Sequence, residues 1–189
     1  MEKLARKITN AIQRENTELT DLQVRTIKYG LECLIGEITK MLIYVFLFSV
    51  FKVLDYFLVA AIFFCTLRII AGGYHSKTYW RCFFTTLLIF TIIIIMGKSY
   101  TFPVNVKVYI ILLSIILAVV FAPVDHPNKP IISQSRRLRL KYFSVAAICV
   151  MGAMSFLLPD IYSGTAVIAI FIEALTLFLG KLANRRRCA

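Results

Sequence analysis

Long apolar stretches separated by short polar breaks restrict the fold of this chain more than any other feature. A helix needs about 20 mostly apolar residues to cross the ~30 Å hydrocarbon core of a bilayer. One such segment begins at a capping-box sequence, Thr20 to Gln23, and runs to Phe51. Five more follow, at 56–71, 82–97, 108–124, 142–158 and 162–182. Several have only about sixteen or seventeen strongly apolar residues, so hydropathy alone leaves four to six spans open.

Composition supports a membrane protein. The chain is 59% hydrophobic, and its mean hydropathy is +0.78, whereas soluble domains are about 45–50% apolar. About thirty mostly polar residues precede the first apolar stretch, so we expect no cleavable signal peptide. The predicted fold class is all-α: a polytopic helical membrane protein with an amphipathic amino-terminal helix.

The distribution of cations decides the number of spans. Of the 22 lysine and arginine residues, six lie in the amino-terminal region, three around residues 68–81, five in the 125–141 loop and four at the carboxyl end. These eighteen fall on one side of a six-span topology, against three on the other side and Lys40 within a span. Because cytoplasmic loops are enriched in cations, this asymmetry predicts six spans with both termini in the cytoplasm.

The chain reads as a single membrane domain, 1–189. Residues 1–19 are predicted to form an amphipathic helix with Leu4, Ile8 and Ile12 on one face, suited either to the membrane surface or to packing on the rest of the protein. Residues 20–182 hold the transmembrane helices, and 183–189 form a basic cytoplasmic tail. The 122–141 segment is the only long connection, and its three prolines exclude a continuous helix.

Charge and cysteine content exclude several classes of function. A net charge of +12 in so apolar a chain is better explained by basic loops beside an anionic leaflet than by nucleic acid. The cysteines are odd in number, scattered and without a C-x-x-C pair, so they indicate neither a disulfide framework nor a zinc site. They lie at Cys33, Cys65, Cys82, Cys149 and Cys188. We predict no metal and no cofactor.

One polar break, "AGGYHSKTYWRC" at 71–82, combines the residues needed for thiol chemistry. A thiolate is a nucleophile, and an imidazole can generate it, so Cys82 and His75 form a candidate pair. Seven residues on a straight helix would separate the two by ~10 Å along the axis, too far for a hydrogen bond. Gly72 and Gly73 can end the preceding helix and let the chain fold back. A packing cysteine and an interfacial histidine are the simpler alternative.

The same break resembles a known family. "LRIIAGGYHSKTYWRC", with Arg68, the glycine pair, His75 and Cys82 in this spacing, is similar to the signature of AgrB proteins, membrane cysteine endopeptidases of Gram-positive quorum sensing. "DLQVRTIKYGLE" and "FAPVDHPNKPI" also resemble AgrB segments, so the resemblance covers nearly the whole chain.

The resemblance implies an activity and assigns roles. The substrate would be an AgrD-type propeptide with an amphipathic leader and an acidic tail. A cysteine cleaves it through an acyl-enzyme thioester, and an internal cysteine or serine of the peptide captures the acyl group as a thiolactone or lactone. The nucleophile then falls on Cys82 and the base on His75, with Arg68, Gly72 and Gly73 in support. The site would lie on the cytoplasmic side of the bacterial cell membrane.

Ionisable residues inside spans are further functional candidates because they are costly there. Glu37 and Lys40, three apart on one helix, can pair with each other. Glu173 has no local partner in the sequence and could orient the histidine or clamp two helices, of which the clamp is the preferred interpretation.

Two other functions compete with the peptidase. A small transporter could use Glu37 and Glu173 along a polar path, but it would need broken helices at corresponding positions, and only one break is evident. A thiol oxidoreductase normally requires paired cysteines, which Cys65 and Cys82 are not. With little mass outside the bilayer, a homodimer is also an expectation.

Overall fold

The fold is helical throughout the part of the chain that the computed structural model describes. That part comprises residues 2–16, 20–73, 78–124 and 133–188, with side chains up to residue 183. Its seven helices are α1 (Glu2–Glu15), α2 (Asp21–Val50), α3 (Leu54–Ala71), α4 (Tyr79–Ser99), α5 (Val104–Phe121), α6 (Gln134–Leu157) and α7 (Asp160–Cys188). Helices α2 to α7 are each long and apolar enough to cross a membrane. The predicted six-span, all-α fold is confirmed.

The first of two compact units covers 1–52 and holds α1 and α2. Thr20 caps α2, and its backbone N–H donates to Gln23 Oε1 at 2.9 Å, which completes the predicted capping box. Helix α1 packs against α2. Ala5 and Thr9 are buried, whereas Leu4 and Ile8 remain exposed. The amphipathic helix therefore uses its small residues for packing within the protein and keeps its larger apolar residues available for another environment.

The second unit, 53–189, is built around its last helix. Helix α7 packs against α3, α4, α5 and α6, and the stretch from Thr165 to Ile170 is completely buried. Small residues allow this close packing. A Cβ on Gly97 of α4 would lie only 2.8 Å from the Thr165 Cα atom, so the two helix backbones are in near contact.

Contacts between helices define two ends of this second unit. At one end Tyr56 of α3 stacks edge-on against Tyr162 of α7, with ring centroids 5.2 Å apart, and Lys107 of α5 pairs with Asp160 at 3.3 Å. At the other end the last turn of α3 meets the carboxyl-terminal half of α7. We call this second end the motif end, because α3 there leads into the glycine pair.

The five helices α3 to α7 all begin earlier than the hydropathy predicts, by two residues at α3 and α7, three at α4, four at α5 and eight at α6. Helix α4 begins at Tyr79 rather than at 82, so Cys82 lies inside the helix. Helix α6 begins at Gln134, eight residues before the predicted 142, where the Ser133 hydroxyl accepts from Arg136 N–H. Both added segments are polar. Hydropathy marks where a helix is apolar, whereas the helix itself begins at its N-cap, which here precedes the apolar stretch.

Candidate functional site

The chain turns sharply at the glycine pair where α3 ends. The Gly72 N–H donates to the Arg68 carbonyl at 3.1 Å and closes the helix. Gly72 has φ of 76°, a conformation that glycine adopts without steric cost. A Cβ there would lie 2.6 Å from the Val124 carbonyl oxygen. Only glycine fits this position, both by backbone angle and by space.

A segment distant in sequence supports the turn. The Val124 N–H, just beyond α5, donates to the Ala71 carbonyl at 3.0 Å. The last carbonyls of a helix have no partner within the helix, so this bond satisfies one of them. The connection after α5 therefore fixes the end of α3.

An ion pair connects the last turn of α3 to α7. Arg68 Nη1 lies 3.3 Å from Glu173 Oε2, and the Glu173 side chain is 1% exposed against 20% for Arg68. Thr176 Oγ1 lies 3.0 Å from the same Oε2 atom. The Arg68 guanidinium also lies over the Phe64 ring, 5.5 Å from its centroid. This group, Arg68 with Glu173 and Thr176, is called the clamp below.

The clamp closes directly around Gly73. A Cβ on Gly73 would lie 2.9 Å from Thr176 Oγ1 and 3.0 Å from both Arg68 Nη1 and Glu173 Oε1. Glu173 Oε1 is buried and has no hydrogen-bond partner within the described residues. The clamp thus holds the backbone of the turn at van der Waals distance, with one carboxylate oxygen of Glu173 beside Gly73.

Cys82 lies one turn into α4. Thr78 is the N-cap residue, and the Cys82 N–H donates to its carbonyl at 3.0 Å, the first bond of the helix. The cysteine is half-buried, and Arg81 beside it is exposed.

Aromatic residues surround Cys82 along α4. Trp80 and Phe84 are 66% and 60% exposed, and their rings stack with centroids 6.2 Å apart. Phe83 is buried and lies edge-on to Phe84 at 5.3 Å. Exposed aromatic residues at a helix end are typical of the membrane–water interface. This pattern favours a position of Cys82 near a membrane boundary.

The predicted site residues are distributed as follows. The structure brings together Arg68, Gly72, Gly73 and Glu173, whereas Glu37 pairs with Lys40 inside α2 of the first unit. His75 lies outside the described residues. Sequence reasoning missed Thr176 and Val124. Thr176 could have been found as a polar residue one turn after Glu173 on the same face, whereas nothing in the sequence signals the contact of Val124.

Replacing Arg68 and replacing Glu173 should lower the free energy of unfolding by unequal amounts. Arg68→Met leaves a fully buried carboxylate uncompensated and should lower the free energy of unfolding by about 3–5 kcal/mol. Glu173→Met leaves a partly exposed guanidinium and should cost less, about 1–3 kcal/mol. The double variant should cost less than the sum of the two singles, because the pair is then removed together. Reversible unfolding in mixed micelles measures all three.

A matched control is available at the opposite end of the unit. Removing the buried Lys107 leaves Asp160, whose side chain is 93% exposed and stays hydrated, so Lys107→Met should cost only about 0–1 kcal/mol. Equal losses for Lys107→Met and Arg68→Met, or strict additivity at the clamp, would show that Arg68 and Glu173 do not act as a pair.

Together these features define a class: a multi-pass helical membrane protein whose polar cluster and cysteine lie at one end of the helix bundle. The chain belongs to the AgrB family, because the family model for Accessory gene regulator B matches residues 5–177.

Individual relatives agree with the family match. The chain is 27% identical to an AgrB-like protein of Clostridium beijerinckii over 93% of this chain and 87% of the relative. It is 26% identical to accessory gene regulator protein B of Staphylococcus aureus strain bovine RF122, over 88% of each chain. Identity to the Staphylococcus haemolyticus protein of the same name is 23%, over 88% of this chain and 87% of that protein. No solved structure matches the chain.

Proposed function

We propose that this protein is a membrane-embedded cysteine endopeptidase that cleaves an AgrD-type quorum-sensing propeptide and promotes its cyclisation. Membership of the AgrB family places it in accessory gene regulator systems and implies association with such a propeptide and with the membrane. Cleavage, cyclisation and the residues that perform them are the proposal.

The placement of Cys82 carries the proposal. It lies one turn into α4 beside exposed aromatic residues, and α4 follows a turn that only glycine can form and that the clamp holds. A cysteine with only a packing role would not require a turn of this kind before its helix. His75 lies in the sequence between that turn and α4, so the elements on both sides of it are fixed, as positioning a general base requires.

The reaction proceeds in two acyl transfers. His75 takes the proton of the Cys82 thiol, and the sulfur attacks the carbonyl carbon of the peptide bond that follows the future ring. The C–N bond breaks, and the released amine takes the proton from His75. A thiol or hydroxyl of the peptide then gives its proton to His75, attacks the thioester and forms the ring bond. The C–S bond to Cys82 breaks, and the released thiolate takes the proton from His75.

The supporting residues keep the reacting groups in place. Arg68 and Glu173 hold α3 and α7 together around Gly73, and Gly72 allows the sharp exit from α3. Glu173 acts in this role as a helix clamp. Glu37, paired with Lys40, has a structural role in α2.

Location at the membrane boundary favours cyclisation over hydrolysis. An acyl-enzyme shielded from water survives until the nucleophile of the peptide itself reaches it, and tethering gives that nucleophile a high effective concentration. In the second unit the motif end bears most of the cations of the described residues, including Arg81, Arg136, Arg139 and Lys181. Charge thus supports a cytoplasmic location of this end.

Intact mass spectrometry of the reconstituted protein with an AgrD-type propeptide tests the proposal. We expect an adduct with the mass of the amino-terminal peptide fragment, removed by hydroxylamine as a thioester is, and mapping to the digest fragment that contains Cys82. An uncut peptide, or an adduct on another residue, would contradict the proposal. Conversion of Cys82 and Cys65 to a disulfide would instead favour the thiol oxidoreductase.

A further inference from the structure

We propose that a cationic cavity at the motif end, separate from the cysteine, binds the phosphate headgroup of an anionic phospholipid. The cavity has a volume of about 300 Å³ and lies between the end of α5, the start of α6 and the end of α7. Arg137, Lys141 and Lys181 line it, and none of the described lining residues is acidic. Nothing in the proposed peptidase mechanism uses these three cations.

Three cations around so small a cavity favour an anion. Arg137 and Lys141 are four residues apart on α6, where side chains are neighbours on one face, and like charges at this spacing repel each other. A bound phosphate relieves this repulsion and accepts several charge-assisted hydrogen bonds. Contacts fix Lys181 at the cavity: its Nζ donates to the Val120 carbonyl at 3.2 Å and lies 5.6 Å from the centroid of the Phe121 ring.

The remainder of the lining is apolar, which favours a lipid over a soluble anion. Val120, Pro123 and Leu138 contribute to the wall, and Leu138 is 53% exposed. Phe121 packs edge-on against Phe178 of α7, with centroids 5.1 Å apart. Phe178 lies about one turn before Lys181 on α7, towards the membrane interior. Cations above an apolar surface match a headgroup above its acyl chains.

The cavity shares a wall with the glycine turn. Val124 lines the cavity, while its N–H bonds to Ala71 and its carbonyl leaves no room for a side chain at Gly72. A lipid that orders Val124 therefore orders the end of α3. This coupling rests on the proposed peptidase function: it predicts faster propeptide cleavage in membranes that contain anionic lipid.

Lipid binding is measured on the full chain, with phosphatidylglycerol as the probe and phosphatidylcholine as the zwitterionic comparison. Native mass spectrometry and titration in detergent micelles should show tighter binding of phosphatidylglycerol. The variant Lys141→Gln/Lys181→Gln should lose about 10- to 30-fold in affinity, since each cation near an anionic surface contributes about fivefold. Lys141→Gln alone should lose about fivefold, which keeps the test valid if the double variant is unstable.

The control Arg136→Gln/Arg139→Gln also removes two positive charges at the motif end, both from α6 and both outside the cavity lining. Its affinity should change by less than about threefold. Equal losses in the two double variants would overturn the proposal in favour of a diffuse surface charge. Glycerol phosphate binding as tightly as the lipid would instead indicate a site for soluble anions. Another outcome is that an oligo-glutamate peptide displaces the lipid at a lower concentration than glycerol phosphate does. That result would indicate a site for an acidic peptide.

Cleavage is then compared in nanodiscs with and without phosphatidylglycerol. We expect the anionic lipid to raise the wild-type rate and to have a smaller effect on Lys141→Gln/Lys181→Gln. A stimulation equal in both proteins would overturn the coupling. If no disc supports cleavage while the selective lipid binding persists, the peptidase proposal fails and the lipid site stands.

Discussion

Replacing Cys82 with alanine should abolish propeptide cleavage and cyclic product, lowering the rate at least about 10⁴-fold, since loss of a nucleophile removes the covalent route entirely. The protein should still insert and fold, because Cys82 is only half-buried and a cysteine-to-alanine change removes one small atom. Chromatographic detection of cut and cyclised peptide from proteoliposomes measures the loss.

Cys65→Ala is the matched control for this experiment. Cys65 is also half-buried and lies on α3 of the same unit, so its replacement should change the rate by no more than about twofold, as expected of a packing cysteine. A Cys82→Ala protein that retains more than about a tenth of the wild-type rate would remove Cys82 from the mechanism. If no protein cleaves the peptide, and peptide transport is the same in wild type, Cys82→Ala and Cys65→Ala, the transporter function is favoured.

Replacing Gly73 with valine should reduce cleavage at least about 100-fold while membrane insertion is retained, because a misplacement of about 1 Å at a reacting group has an effect of this size. The new Cβ would meet Thr176 Oγ1, Arg68 Nη1 and Glu173 Oε1 at 2.9–3.0 Å. Relief of these contacts must either open the clamp or move the turn. Gly73→Ala should be less severe, because the three atoms end side chains that can shift slightly.

Gly30→Val provides the comparison for Gly73→Val. A Cβ on Gly30 has no neighbour within 4 Å among the described residues, so the same substitution there tests only the change in side chain. Its cleavage rate should stay within about twofold of wild type. Normal cleavage by Gly73→Val would show that the clamp does not position the reacting groups.

Sequence reasoning succeeded where the signal is local. The capping box at Thr20 and the break at Gly72 and Gly73 each depend on residues within a few positions of one another, and the structure confirms both. The six spans required hydropathy together with the distribution of cations along the whole chain, and the structure confirms them as well. The assignment of Cys82 and His75 came from the motif and stays a prediction. Helix starts were less accurate, since the polar first turns of α4 and α6 carry no hydropathy signal.

The clamp lay beyond what the sequence could reveal. Glu173 was identified as a suspect because a carboxylate inside a span is costly, but its partner Arg68 is 105 residues away. Pairing them requires knowing which helices are neighbours and how each is rotated. The neighbours and the rotation of each helix depend on how small residues pack along α7. Amphipathic periodicity does not predict this packing when every helix is apolar on most of its surface. The contact of Val124 with Ala71 could not be predicted for the same reason.

The central position of α7 has a consequence for how the protein is made. It leaves the ribosome after α3, α4, α5 and α6, yet all four of these helices pack on it. Until it inserts, Arg68 has no carboxylate opposite it, and the glycine turn lacks the surface that holds it. A partly synthesised chain already contains the thiol but cannot hold it in a working arrangement. For the proposed peptidase, this order of assembly means that the site is complete only after α7 has inserted.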